Sequence, residues 1–178
     1  MLVGDVMSRV VVKVSPLTTI DHAARLMLHH NIGSVPVLES GRLVGILTDR
    51  DIVIRGIAEN KDSIFSRVSD LMTRIVYSCS PNDDLLLAAE KLARYQVRRL
   101  PVIDDDSRLV GMLALADLAS NDRDAAIFAL SEICESEAFL EETPAVLQGA
   151  SRKSAVGEKP AARSKLRVRF PYTSPGGR

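Results

Sequence analysis

The sequence predicts an α/β protein made of two β-α-β-β-α units packed with pseudo-twofold symmetry, with a helix and a basic tail behind them. One observation is an internal repeat. Val3-Gly4-Asp5-Val6-Met7-Ser8-Arg9 matches Val68-Ser69-Asp70-Leu71-Met72-Thr73-Arg74 at a shift of 65, which persists through Ser15-Pro16 against Ser80-Pro81, Ala23-Ala24 against Ala88-Ala89, and Pro36-Val37 against Pro101-Val102. The shift then grows by one, so Arg42-Leu43-Val44-Gly45 meets Arg108-Leu109-Val110-Gly111 and Asp51 meets Asp117. The other observation is that short β-branched runs alternate with stripes of helical spacing in both copies. Three short strands with helices on one side leave a sheet face bare, so the copies should pack on each other.

Each element has a local reason. Val10 to Val14 read as a strand stopped by Ser15-Pro16. A helix follows with Thr18 or Thr19 as its cap, and Ile20, Ala23, Ala24, Met27 and Leu28 form its apolar stripe. Ser34 to Leu38 and Leu43 to Leu47 read as a hairpin over Ser40-Gly41, and Ile52, Val53, Ile54 and Ile57 as the core face of a closing helix. The second copy repeats this with Ile75 to Cys79, Asp84 to Tyr95, Arg99 to Ile103, Leu109 to Leu113, and a helix from about Leu115. Its extra residue falls in the hairpin turn Asp104-Asp105-Asp106-Ser107, where insertions are tolerated. The expected limits are residues 1–60 and 66–123 for the units, joined by the polar stretch Glu59 to Ser66. An amphipathic helix over 124–142 should bury Ala126, Ile127, Leu130, Ile133 and Cys134, and a disordered tail over 143–178 carries too few large apolar residues to offset its ordering entropy.

The chain has 178 residues, with 23 basic and 23 acidic side chains. That balance hides an asymmetry: Met1 to Thr143 carry 15 Lys and Arg against 22 Asp and Glu, and Pro144 to Arg178 carry 8 against 1. Any attraction to nucleic acid, an acidic protein or an anionic surface therefore belongs to the tail, which serves solubility equally well. Two cysteines, Cys79 and Cys134, are too few for a disulfide framework and read as small buried hydrophobes. No apolar run is long enough to span a bilayer and no secretion signal opens the chain, so the expectation is a soluble cytoplasmic protein. Asp104-Asp105-Asp106 lacks the interleaved ligands of a calcium loop, and His22, His29 and His30 lack a metal-binding spacing. No nucleophile elbow or phosphate-gripping Gly-Lys loop is present, so catalysis has no visible home.

The stretch Leu43 to Ile57 carries the strongest local signal. A buried strand runs into a helix at Thr48, and Asp51 stands three residues on, as in an acidic capping box. A hydroxyl, a carboxylate and the N–H groups of a helix start suit a phosphorylated ligand. They equally suit a plain helix cap, and the residues alone leave both readings open.

In both copies an Asp-hydrophobic-Met opening, a Ser-Pro before a capped helix, a hydrophobic-Pro-Val strand and a Gly-x-x-x-x-x-Asp exit recur at matching spacing over residues 1 to 123. This pattern resembles a tandem pair of cystathionine-β-synthase (CBS) domains. The resemblance implies a regulatory module rather than an enzyme, one that binds an adenine nucleotide (AMP, ADP or ATP) or S-adenosylmethionine between the repeats, forms a homodimer and signals to a partner protein. The alternative is the same fold as a ligand-free scaffold acting through its dimer surface, last helix and tail. Carried over by position, the resemblance gives Thr48 and Asp51 the phosphate and ribose contacts, Val11 and Val12 the adenine edge, and Gly33 and Ser34 the pocket turn. The second copy departs from the pattern with Ala114 in place of the hydroxyl, while Asp117 is kept and Arg98 and Arg99 replace Gly33 and Ser34. Together with Val76 and Tyr77 these form a second, weaker pocket, and one competent site per chain is the expectation. No cofactor is required.

Overall fold

The structure, a computed structural model, describes residues 1–141, with side chains through residue 135. The expected tail lies outside the described residues. In chain order the elements are α1 (Val3–Val6), α2 (Ile20–His30), β1 (Ser34–Glu39), β2 (Arg42–Thr48) and α3 (Asp49–Asp51), which widens into a π-turn over Ile52–Ile57. The second copy follows as α4 (Val68–Leu71), α5 (Leu85–Tyr95), β3 (Arg99–Ile103), β4 (Leu109–Ala114) and α6 (Leu115–Asn121), and α7 (Arg123–Glu141) closes the described chain.

Capping and turn chemistry set these elements where the spacing places them. Thr19 caps α2 by accepting from His22 N, and Asp84 caps α5 by accepting from Leu87 N. Both helices end on a left-handed residue, Asn31 and Gln96. β1 pairs antiparallel with β2, Val35 opposite Leu47, and β3 with β4, Leu100 opposite Leu113. The first hairpin turns on Ser40 and Gly41, whose φ of 50° and 80° suit a two-residue turn with both residues left-handed. In the second, Asp104 holds the longer turn by accepting from the N–H groups of Asp106 and Arg108.

The expected first strand of each copy is reduced to one parallel bridge, Val14 with Val37 and Cys79 with Val102. The cause is a crossing of the chain between the repeats. Ser8 pairs with Met112 of the second hairpin, and Thr73 pairs with Ile46 of the first, with N–H to O distances of 2.9 Å in both directions of each bridge. Residues 9–13 and 74–78 therefore pass from one repeat's sheet to the other's and have no ladder partner of their own.

The same crossing exchanges the short lead-in helices. α1 belongs to the second repeat: Val3 N donates to Asp83 O and Gly4 N to Pro81 O, and Val3 and Met7 are buried with Leu85, Leu100 and Leu113. α4 belongs to the first: Val68 N donates to Thr18 O, and Val68, Leu71 and Met72 are buried with Ile20, Val35 and Leu47. The units read along the chain as 1–60 and 66–123 are thus not the two cores. Gly45 shows how tight the exchange is, because a Cβ there would stand 2.6 Å from Met72 Sδ and 3.2 Å from Thr73 O. Gly111 meets Met7 in the same way.

Three expected faces are corrected. Of the closing helix only Ile52 packs against the core, and Val53, Ile54 and Ile57 are exposed. The π-turn adds a residue to the loop of chain and Gly56 seats it against Leu71, which rotates the next apolar side chains outward. On α2, Leu28 is 83% exposed. On α7 the buried residues are Ala125, Ala126, Ala129 and Ile133, whereas Ile127 and Leu130 point outward and Cys134 is exposed. Small residues win because α7 lies close against the alanines of α5, Ala88, Ala89 and Ala93.

Cys79 is buried and its thiol is pushed up to about 12, chiefly by desolvation, with Lys91 lowering it and Asp83 raising it to smaller extents. A disulfide-exchange reagent at pH 8 should therefore titrate one thiol, Cys134, in the native chain and the second only after denaturation. Since the folded value lies above the ordinary one of 9.0, stability should hold below pH 9 and fall as pH rises toward 12. Leu71→Ala, which empties a site 1% exposed, should cost about 2 to 5 kcal/mol in urea unfolding.

Candidate functional site

At the end of β2, Thr48 and Asp51 cap one another. Thr48 N donates to Asp51 Oδ2 at 3.0 Å, Thr48 Oγ1 donates to the same oxygen at 2.7 Å, and Asp51 N donates back to Thr48 Oγ1 at 3.1 Å. The other carboxylate oxygen, Oδ1, lies 3.4 Å from Arg55 Nη1. That guanidinium also donates to Leu71 O at 2.8 Å and Thr73 Oγ1 at 3.2 Å, so the exit of the first repeat is tied to the lead-in of the second. The N–H groups expected to be open for an anion are engaged: Asp49 N donates to Gly33 O, Arg50 N to Asp49 Oδ1, and Asp51 N to Thr48. The helix start is a closed cap, and phosphate binding there would have to come from side chains.

A cleft of about 510 Å³ opens beside this cap. One wall is the first repeat, with Gly33, Ser34, Thr48, Asp49, Arg50 and Asp51. The other is the second repeat, with Thr73, Val76, Tyr77, Gln96, Arg98 and Arg99. The residues assigned by position to two pockets therefore regroup: Val76, Tyr77, Arg98 and Arg99 face the same space as Thr48 and Asp51. Val11 and Val12 do not line it, since residues 9–13 cross toward the other side and Val12 packs on the first core. Asp117 does not line it either, and its Oδ2 accepts from Ala114 N at 2.7 Å as the surviving half of a cap without a hydroxyl.

The electrostatics of the cleft are mixed, with two carboxylates at Asp49 and Asp51 and three guanidinium groups at Arg50, Arg98 and Arg99. Tyr77 stacks on Tyr95, ring centroids 3.7 Å apart and planes 4° from parallel, which fixes an aromatic edge in the wall. Ser34 Oγ is buried without a hydrogen-bond partner. Arg50, Thr73 and Gln96 were not singled out from the sequence. Arg50 lies inside the Thr48–Asp51 motif and carries its own signal. Thr73 and Gln96 reach the cleft only through the crossing of the chain and have no local one. Among the described residues no three His, Cys, Asp or Glu side chains gather to hold a metal ion, and no helix is long and apolar enough to cross a membrane.

The CBS domain family model matches residues 3–56 and 68–124. The chain belongs to the CBS domain family. CBS domain-containing protein YhcV of Bacillus subtilis (strain 168) is 46% identical over 119 residues, which span 67% of this chain and 84% of YhcV. Among solved structures, the CBS domain pair of protein MJ0100 in complex with 5-methylthioadenosine and S-adenosyl-L-methionine superposes with a TM-score of 0.61 at 31% identity, covering 67% of this chain and 94% of that one. CBSX2 in complex with AMP gives a TM-score of 0.61 at 27% identity over 69% of this chain and 96% of that one. CBS pairs are generally regulatory modules, and related pairs hold adenosine ligands.

Within this CBS pair the cap and the cleft wall share Thr48, so a cap defect should be measurable without ligand. Thr48→Ala is expected to lower stability by about 0.5 to 2 kcal/mol in thermal or urea unfolding, with Thr48→Ser close to the native value.

Proposed function

We propose that this CBS pair binds one adenosine phosphate (AMP, ADP or ATP) per chain in the cleft between the repeats and passes its occupancy to a partner protein. The observation that carries this reading is the regrouping of the site. One cleft combines the hydroxyl and carboxylate of the first repeat with the arginines and aromatic wall of the second. Asp51 keeps lone pairs on Oδ1 for the hydroxyls of a ribose, the segment Ile75 to Tyr77 offers main-chain groups without ladder partners to a base edge, and Arg50, Arg98 and Arg99 offer forked donors to phosphate. Because the N–H groups of α3 are spent on the cap, the guanidinium groups are the main attraction for an anion. This favours phosphorylated nucleotides over S-adenosylmethionine, whose sulfonium brings positive charge into an arginine-rich cleft. Ser34 Oγ would gain a partner from a polar ligand group.

The opposite side, around Val11, Val12, Ala114 and Asp117, lacks the hydroxyl, since Ala114 stands where the competent side has Thr48. One site per chain follows. Calorimetry should give a stoichiometry of one, and ligand at 100 times its dissociation constant should stabilise the fold by about 2.7 kcal/mol in a thermal-shift series. Asp51→Ala should abolish tight binding and Asp117→Ala should leave it unchanged. Two equal sites, or a stronger shift with S-adenosylmethionine than with every phosphorylated nucleotide, would refute the assignment.

A further inference from the structure

We propose, on the nucleotide reading above, that Gln96 makes α7 the output element of the cleft: a nucleotide bound between the repeats locks the far part of α7 onto the second repeat through this one side chain. Gln96 belongs to two surfaces at once. It lines the cleft beside Arg98 and Arg99, and its Nε2 donates to Ala93 O at 2.7 Å and to Glu132 O of α7 at 3.2 Å. Both amide hydrogens are thus spent on main-chain carbonyls, which leaves Oε1, an acceptor, as the group a ligand can engage. An N–H or O–H of the ligand donating to Oε1 polarises the amide and strengthens the two bonds that Nε2 already makes. Engagement on the cleft side therefore tightens the hold on α7.

The docking of α7 leaves room for such control. Its start is capped by Asp122 Oδ1, which accepts from Ala125 N at 3.0 Å, and its inner face buries Ala125, Ala126 and Ala129. Alanines take little apolar surface out of water, so many small contacts hold the helix and no single large one does. Among the described residues the last buried side chain of α7 is Ile133, with Ser131, Glu132, Cys134 and Glu135 exposed around it. The Gln96 bond falls at Glu132, beside that final anchor. Tyr95, the neighbour of Gln96, is also the residue on which Tyr77 of the cleft wall stacks, so a ligand that fixes Ile75 to Tyr77 fixes the end of α5 from which Gln96 reaches out. The first repeat has no equivalent. Asn31 holds the same cap with a similar left-handed backbone, φ 51° against 56°, but its amide is one methylene shorter and no described helix packs along α2. In the chain, α7 leads toward residues 144–178 with their 8 Lys and Arg against 1 acidic residue, so the element held by the cleft wall is the root of the basic segment.

Hydrogen exchange on the full chain, followed by mass spectrometry with and without saturating AMP, ADP or ATP, reads this coupling. The nucleotide that binds by calorimetry should slow exchange across residues 129–135 by about fivefold or more. Gln96→Met keeps the reach of the side chain and removes its hydrogen bonds. It should keep the native circular dichroism and bind more weakly, and at saturation the slowing over 129–135 should be gone. Glu132→Ala keeps the main-chain acceptor and should retain the slowing. A nucleotide that binds the native chain without changing 129–135 overturns the proposal and leaves the binding reading standing, whether or not Gln96→Met folds. So does a slowing that survives Gln96→Met. Failure of all three nucleotides to bind overturns both.

Discussion

Each hydrophobic core of this protein is completed by a helix from the other repeat, and that exchange governs the rest of the structure. α1 contributes Val3 and Met7 to the second core, and α4 contributes Val68, Leu71 and Met72 to the first. A three-residue apolar face costs little to fold if it has a slot to enter, but neither repeat carries such a slot-filler of its own. The repeats are therefore two halves of one folding unit, in which loss of one lead-in helix opens the partner's core. Buried glycines at 45 and 111 mark the same constraint, since the methionine of the exchanged segment lies where a side chain would otherwise stand.

The cleft is a by-product of this exchange. After leaving α4, the chain must travel from its bridge at Ile46 to its bridge at Val102, and the residues on the way, Thr73 to Tyr77, are carried past the exit of the first repeat. Their backbone is spared from ladder pairing because they are between two sheets, and that leaves main-chain groups for something else to bind. The Arg55 guanidinium, shared between Asp51, Leu71 O and Thr73 Oγ1, holds the two walls at fixed separation on one side. A site assembled from both repeats in this way reports on their relative placement, which is the physical basis on which a regulatory module can sense occupancy.

Much of this is legible in the sequence, and the limits have a common cause. Hairpins, caps and the repeat itself depend on neighbours within a few residues, so the Ser40-Gly41 turn, a threonine cap at 18 or 19 and the Thr48–Asp51 pair are legible in local pattern, with the structure choosing Thr19. The grouping of site residues is not local. Positional equivalence puts Val11 beside Thr48, whereas the crossing of the chain puts Val76 there, and no spacing rule announces a crossing. The faces of the last helix and the π-turn fail for a related reason. A reading by side-chain size chooses Ile127 and Leu130 as core, but the packed surface is set by what it meets, and the alanines of α5 select alanines on α7.

The repeats differ in complementary ways. The second has Ala114 where the first has the Thr48 hydroxyl, and it carries Arg98 and Arg99 together with α7, which seals its helices. The first keeps Thr48 and Asp51 and leaves Leu28, Val53 and Ile54 bare. Duplication alone would give two equal pockets and two equal outer faces. Instead the residues proposed to contact ligand line one cleft, and the covered and open faces are divided between the repeats. Because Asp51 opens the π-turn whose outer side carries Val53 and Ile54, the carboxylate of the cleft and the bare surface belong to one short segment. A change in how that segment is held on its inner side must be felt on its outer side, since a turn anchored by Gly56 against Leu71 has little room to deform between them.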